Sequence, residues 1–300
     1  MALTVSELFA GGQFTTGIAV GVVAAAIAVA LRAATPRRPG PLPVGGILVS
    51  SGALVAIGHF RPVPAAVAVG VLGVAATSAL TSLGPLPRPW AVLGSLPFAW
   101  LIAFHGGLVD LTWLRVAVLV AICLGGALAG WCDDTWAATA PGPALFALSA
   151  AGVYLCAPDT EEVRALLGVA VVLALLGWPL RRARLGRSGA SAAVATFAWI
   201  AALDVRGRPA SLIGALLCLG LLVAAPLGGA LLPATRRALG GVDRARRTPW
   251  LIMAQGVVVF VASRAVGLRA NRNAEIVGAL LVGIVAVAVG ACFDGVSDLL

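Results

Sequence analysis

The chain has no lysine, a single tyrosine and few charged residues, which make up 11% of its 300 positions, whereas 60% of its residues are hydrophobic. The longest polar stretch, Pro233 to Thr248, is too short to bury a core of its own. This balance excludes an ordinary soluble globular domain. It predicts an all-α fold, in which residues 1–300 form one transmembrane domain of a polytopic integral membrane protein.

Apolar runs that reach or approach the length of a membrane span recur along the chain, separated by Pro, Gly and Arg. They lie at about residues 12–33, 43–59, 64–83, 89–107, 113–131, 141–157, 164–180, 189–204, 210–232 and 275–293. These runs predict ten transmembrane helices. A further run, Pro249 to Ser263, has about three-quarters of the usual length, so it either crosses as an eleventh helix, lies in the interface or re-enters.

Cysteine is scarce, and its pattern indicates neither a disulfide framework nor a metal site. The five cysteines lie within or at the ends of the apolar runs and show no CxxC spacing. The chain also lacks a basic segment before its first apolar run, which is the usual start of a cleavable signal. We therefore expect the first helix to be retained as a membrane anchor.

All 21 basic residues are arginines, and their placement indicates membrane topology more than nucleic-acid binding, despite the net charge of +9. They concentrate in alternate loops, whereas the intervening loops carry few arginines and hold Asp110, Asp159, Glu161, Glu162 and Asp204. The positive-inside rule therefore predicts five short cytoplasmic loops, at about 33–42, 84–89, 131–140, 181–188 and 233–274. It also predicts an outside amino terminus, a multi-pass location in a bacterial inner (plasma) membrane and no nucleic-acid partner.

Asp133 and Asp134, in the segment GWCDDTW, are the only adjacent Asp residues in the chain. Paired carboxylates at a membrane surface are a typical requirement of a magnesium-dependent phosphoryl transferase. Successive side chains of a helix point about 100° apart, so the two carboxylates can face one metal ion only if their segment forms a loop. The simpler alternative is that the pair caps the helix that starts near Ala140, or keeps the loop solvated.

The fourth predicted loop combines arginines with a Gly-x-x-Gly turn that opens a helix. The residues concerned are Arg181, Arg182, Arg184 and Arg187, with Gly186 and Gly189. Helix amino termini and arginines both favour phosphate, so these residues, together with Arg236 and Arg237, form a candidate basic bowl for an anionic headgroup such as a polyprenyl phosphate. The alternative is that the arginines only set topology and contact lipid headgroups.

The order of the predicted cytoplasmic segments resembles the polyprenyl-phosphate N-acetylhexosamine-1-phosphate transferases, which are phospho-N-acetylmuramoyl-pentapeptide transferase-like proteins of glycosyltransferase family 4. The family's first-loop signature, Pro-x-Pro-x-x-Gly-Gly, is similar to Pro41, Pro43, Gly45 and Gly46. Its fourth-loop motif resembles Arg181 to Ala190 through Ala183, Gly186 and Gly189. Its fifth segment is similar to Pro226 with Arg236 and Arg237. The resemblance implies ten or eleven helices and a cytoplasmic active site.

The departures from the family fall on its chemistry. Gly73 to Ala76 stand where the resemblance implies an acid pair, and Arg187 stands where it implies a magnesium-bound acid. Around Asp133 one acid is kept, but Trp136 replaces a partner. The His-x-His-His element is missing, and the two histidines, His59 and His105, lie in predicted outer loops.

These observations predict a degenerate homologue of the membrane sugar-1-phosphate transferases, a pseudoenzyme that binds a polyprenyl-phosphate lipid or a protein partner in cell-envelope glycan or peptidoglycan biosynthesis. An active transferase is the alternative; it would require Mg²⁺, whereas the pseudoenzyme needs no cofactor. A transporter is a third hypothesis, disfavoured because the predicted spans place no charged residue at mid-membrane. The sequence is also compatible with a homodimer.

Overall fold

The structure is a computed structural model that describes residues 9, 11–34, 43–82, 84, 89–108, 110–127, 129–130, 147, 151, 154, 161–177 and 186–203. All regular structure in these residues is helical, which confirms the all-α prediction for them. The elements are α1 (Gln13–Ala34), α2 (Pro43–Gly58), α3 (Ala65–Ser82), α4 (Trp90–Leu93), α5 (Leu96–His105), α6 (Thr112–Val120) with a π-helical turn (Ala121–Gly125) after it, α7 (Glu161–Gly177) and α8 (Gly186–Leu203).

Within the described residues, α3 is the one helix that is both long and apolar enough to cross a membrane, by length and composition alone. Shorter apolar helices cover Gln13–Ile27, Trp90–His105 and Thr112–Gly125. The described part of the chain therefore does not confirm ten spans. The spans predicted at 210–232 and 275–293 lie outside it, as does most of the span predicted at 141–157.

The run at 89–107, predicted as a single helix, is interrupted between α4 and α5. The Gly94 N–H donates to the Trp90 carbonyl, at 2.8 Å, and closes α4. The Ser95 hydroxyl lies 2.7 Å from the Ala91 carbonyl and 2.9 Å from the Val92 carbonyl, a pattern that bends helices. Proline in the first turn of α5 then favours a new start.

Helix α8 lies at the centre of the described bundle, in contact with α2, α3 and the π-helical turn. All its residues from Gly186 to Ala202 are buried except Arg187. At one end of α8, the Trp199 indole N–H donates to the Gly106 carbonyl at 2.8 Å. We call this the Trp199 end of the bundle, and the opposite end, where α8 begins, the Arg187 end.

Helices α1 and α7 run parallel and approach closely through glycines. A Cβ at Gly17 would overlap the Ala165 carbonyl, and one at Gly21 would lie 3.2 Å from Val169 Cα. A Cβ at Gly168 would in turn lie 2.8 Å from the Ile18 nitrogen. This is the close packing that a Gly-x-x-x-Gly sequence permits.

The outward faces of the described helices are apolar. Large side chains exposed there belong to every helix of more than eight residues except α8, and they include Val23, Val55, Val69, Leu80, Trp100, Val116 and Leu175. Exposed apolar surface spread over a whole bundle is unusual for a protein that faces water on all sides.

Candidate functional site

The Arg187 end begins with a glycine in a left-handed conformation. Gly186 has φ +66°, a backbone conformation that L side chains rarely adopt, and it is the first residue of α8. The helix therefore starts inside the loop predicted at 181–188. Gly189 lies buried within α8, so only Gly186 of the two predicted turn glycines occupies a turn conformation.

Arg187 packs its side chain on Gly130. A Cβ at Gly130 would lie 2.6 Å from Arg187 Cγ and 3.2 Å from the Arg187 carbonyl oxygen. The absence of a side chain at Gly130 therefore makes room for the aliphatic stem of Arg187. Because Gly130 precedes Asp133 by three residues, this contact holds Arg187 against the helix that leads into the Asp133-Asp134 segment.

A hydroxyl junction lies one helical turn deeper in the bundle. The Ser191 hydroxyl donates to the Gly126 carbonyl at 2.8 Å, and the Ser78 hydroxyl donates to the Ser191 oxygen at 2.8 Å. Both serines are almost fully buried, with at most 2% exposure. The junction joins α3, α8 and the helical residues after the π-helical turn.

The two contacts belong to one ladder between antiparallel helices. Arg187 and Ser191 are four residues apart, as are Gly130 and Gly126, so each pair lies on one face of its helix. A π-helical turn adds a residue to the helix and so rotates the later residues about the helix axis. The turn at Ala121–Gly125 thereby influences whether Gly126 and Gly130 face α8.

The positions where the resemblance implies an acid pair are packed in the core. A Cβ at Gly73 would overlap the Phe98 ring, while Val74 and Ala75 are at most 1% exposed. A carboxylate at Gly73 would have no space, and one at Val74 or Ala75 would have no access to solvent. The contact between α3 and α5 therefore does not accommodate an acid pair at these positions.

The hydroxyls near the Arg187 end of α3 bond to nearby carbonyls. Thr77 Oγ1 donates to the Gly73 carbonyl at 2.8 Å, Thr81 Oγ1 to the Ser78 carbonyl at 2.8 Å, and Ser82 Oγ to the Ala79 carbonyl at 2.7 Å. They add no net charge to this end of the bundle. Among the described side chains, Arg187 is the cation at this site.

Ion pairs occur at the Trp199 end. Arg61 pairs with Glu162 at 2.8 Å, and Arg115 pairs with Asp110 at 2.8 Å. The Arg115 guanidinium also lies over the Phe104 ring, 5.4 Å from its centroid. The two histidines contact aromatic rings: His59 meets Phe60, and His105 meets Trp100.

Several predicted site residues lie outside the described residues: Asp133, Asp134, Arg181, Arg182, Arg184, Arg236, Arg237 and Pro41. Pro43 is the first residue of α2, and Gly45 and Gly46 lie in its first turn. The described residues contain no group of three or more His, Cys, Asp or Glu side chains that could hold a metal ion.

Comparison with known proteins does not assign a family: no family model matches the chain, and no curated protein matches its sequence. The candidate site therefore rests on its own residues and their contacts.

Sequence reasoning placed Gly130 in the same segment as Asp133 but missed its contact with Arg187, and it missed Ser78, Ser191 and Gly126. The one available signal is the Gly-x-x-x-Gly spacing of Gly126 and Gly130, which matches the four-residue spacing of Arg187 and Ser191. The signal does not identify the partner helix, because small-residue pairs occur throughout this chain.

Proposed function

We propose that this chain is a bacterial inner-membrane protein, with ten transmembrane helices or eleven, that binds the phosphate headgroup of a polyprenyl-phosphate-type lipid at its cytoplasmic face. In this proposal it is a degenerate homologue of the membrane sugar-1-phosphate transferases. It would act in cell-envelope glycan assembly as a lipid-binding pseudoenzyme.

The observation that carries the proposal is the contact of Arg187 with Gly130. It joins the arginine-rich fourth segment to the helix that leads into Asp133 and Asp134, two segments that were predicted separately to face the cytoplasm. An arginine binds phosphate through a planar pair of N–H donors, and the start of α8 adds backbone N–H groups of the same polarity. Both features favour an anionic ligand.

The membrane part of the proposal is supported by the apolar outer surface of the described bundle. Val23 is 58% exposed, Val55 is 65% exposed and Leu175 is 58% exposed. In water such a surface would promote association, whereas hydrocarbon tails solvate it without cost. Close glycine packing between α1 and α7 is also typical of membrane helices.

Loss of catalysis is supported by the packing of Gly73 and by the charge of Arg187. Transfer of a sugar phosphate requires Mg²⁺ held by carboxylates, because several phosphate charges meet in the transition state. No carboxylate fits at Gly73, and a guanidinium at position 187 repels a cation. Arg187 can itself neutralise part of the charge of a bound phosphate.

A binding titration tests the proposal. The full chain in nanodiscs is titrated with a polyprenyl phosphate, and the same titration is made with Arg187→Gln and with Arg115→Gln. Because hydrogen bonds to charged groups contribute about 1.5–3 kcal/mol, Arg187→Gln should weaken binding about tenfold or more. Arg115→Gln is the matched control, since Arg115 pairs with Asp110 at the Trp199 end. Equal binding by Arg187→Gln and the unaltered chain would reject the proposal.

A second candidate, based on the adjacent carboxylates of the sequence, is an active transferase whose metal site is built on Asp133 and Asp134. It predicts magnesium-dependent release of nucleoside monophosphate from a UDP-sugar in the presence of polyprenyl phosphate. Asp133→Ala should abolish this release. Absence of turnover with every UDP-sugar tested would eliminate the transferase and leave the lipid-binding pseudoenzyme.

A further inference from the structure

We infer that Ser191 is a positioning residue for Arg187: its hydroxyl fixes the start of α8 against Gly126 and so holds the arginine where it meets the lipid phosphate. The inference rests on the proposed function, which it extends from the arginine to the buried group that positions it.

Ser191 lies four residues after Arg187, so the two side chains project from the same face of α8, one turn apart. Arg187 meets Gly130, and Ser191 meets Gly126, on one facing helix. A shift of α8 at Ser191 therefore moves Arg187 along Gly130.

The Ser191 hydroxyl makes two hydrogen bonds to neighbouring helices. Its oxygen accepts a hydrogen bond from Ser78 of α3, and its proton is donated to the Gly126 carbonyl. One hydroxyl thus ties α8 to two other helices. The hydrogen bond of Trp199 with Gly106 also ties α8 to its surroundings, but it lies near the far end of the helix and so cannot fix the start.

Arg187 and Ser191 hold the start of α8 by different kinds of contact. The Gly130 contact holds the arginine stem by packing, while the Ser191 junction supplies a directional bond one turn away. Loss of the junction should therefore affect the arginine before it affects the fold.

Thr196 supplies a matched control on the same helix. Its side chain is 1% exposed, and its hydroxyl donates to the Ala192 carbonyl of α8 itself, at 2.9 Å. Removing it deletes a buried hydroxyl without touching a neighbouring helix. Ser191→Ala and Thr196→Val therefore differ in whether the lost bond joins two helices.

The test measures polyprenyl-phosphate binding by the full chain in nanodiscs. Ser191→Ala should weaken binding about threefold to tenfold, the range expected for one interhelical hydrogen bond. Ser191→Thr, which keeps the hydroxyl, should restore binding, and Thr196→Val should bind as the unaltered chain does. In an Arg187→Gln background, Ser191→Ala should have no further effect. Unchanged binding by Ser191→Ala, or an equal loss with and without Arg187, would overturn the inference.

A second readout does not depend on the ligand. In a full chain whose five native cysteines are replaced, Gly130→Cys and Arg187→Cys should form a disulfide, and Ser191→Ala should lower its yield at least about threefold, while Thr196→Val leaves it unchanged. An unchanged yield in Ser191→Ala would overturn the positioning role. If the unaltered chain binds a polyprenyl phosphate and the corresponding alcohol with equal affinity, the proposed function fails. The disulfide yield then decides by itself whether Ser191 positions Arg187.

Discussion

The stem of Arg187 lies on Gly130, and a methyl group at position 130 would come within 2.6 Å of Arg187 Cγ. The half-buried side chain of Arg187 thus packs in the space that Gly130 leaves on the facing helix. The contact connects two segments whose arginines and acids were predicted from the sequence to face the same side of the membrane.

Gly130→Ala should displace Arg187 and weaken polyprenyl-phosphate binding. The added methyl group cannot coexist with the present arginine rotamer, so the guanidinium must move while the overall fold is kept. We expect a loss of about threefold to tenfold in affinity, measured by titration in nanodiscs.

Gly125→Ala is the control for that change. Its Cβ would lie 3.4 Å from Val194 Cγ1, an ordinary van der Waals distance, so Arg187 should stay in place. Equal losses in the two variants would show that any added methyl on this helix face disturbs binding, which would contradict a specific role for the arginine contact.

Close packing of α1 against α7 predicts that small changes there are costly. Gly17→Ala would push a methyl group into the Ala165 carbonyl, and overpacking of this kind costs about 1–3 kcal/mol. The melting temperature of the purified protein should fall accordingly. Gly58→Ala, whose Cβ would lie 3.7 Å from Val63 Cγ2, should melt close to the unaltered protein. A Gly17→Ala variant that melts with the control would contradict the parallel contact.

The two ion pairs of the Trp199 end should respond differently to loss of their arginines. Glu162 has a side chain that is 7% exposed, whereas that of Asp110 is 90% exposed. Arg61→Gln leaves a buried carboxylate without its ion-pair partner and should cost about 1–3 kcal/mol. Arg115→Gln leaves the solvated carboxylate of Asp110 and should lower the free energy of unfolding by less than about 1 kcal/mol, because exposed ion pairs contribute little.

Denaturation of the Arg61→Gln and Arg115→Gln variants by the same method measures the difference between their losses in the free energy of unfolding. Adding Glu162→Gln to Arg61→Gln should recover part of the loss, since the uncompensated charge is then removed. Equal stability losses in the Arg61 and Arg115 variants would contradict the assigned burial of Glu162.

The boundaries of the first three helices could be predicted from the sequence. Runs at 12–33, 43–59 and 64–83 correspond to Gln13–Ala34, Pro43–Gly58 and Ala65–Ser82, because prolines, glycines and arginines interrupt the apolar composition between these runs. The break after Gly94 could not be predicted in this way, because the bonds of the Ser95 hydroxyl to its own helix do not change hydropathy.

The candidate site was only partly accessible from the sequence. Arg187 and Gly186 stand out through charge and turn chemistry. The Ser191 junction does not, because Ser191 meets Ser78 and Gly126 across 113 and 65 residues of sequence. Contacts between helices that distant depend on the packing of the whole bundle, and a single serine in an apolar run carries no sign of its partner.

The most direct test of lipid-phosphate binding is the ratio of the affinities of the unaltered chain for a polyprenyl phosphate and for the uncharged polyprenol of the same length. The tails are identical, so the ratio isolates the headgroup. Recognition by arginine predicts that the phosphate binds at least about tenfold more tightly, and that the advantage falls toward unity in Arg187→Gln. Equal affinities of the unaltered chain for the two lipids would contradict recognition of the phosphate headgroup by this protein.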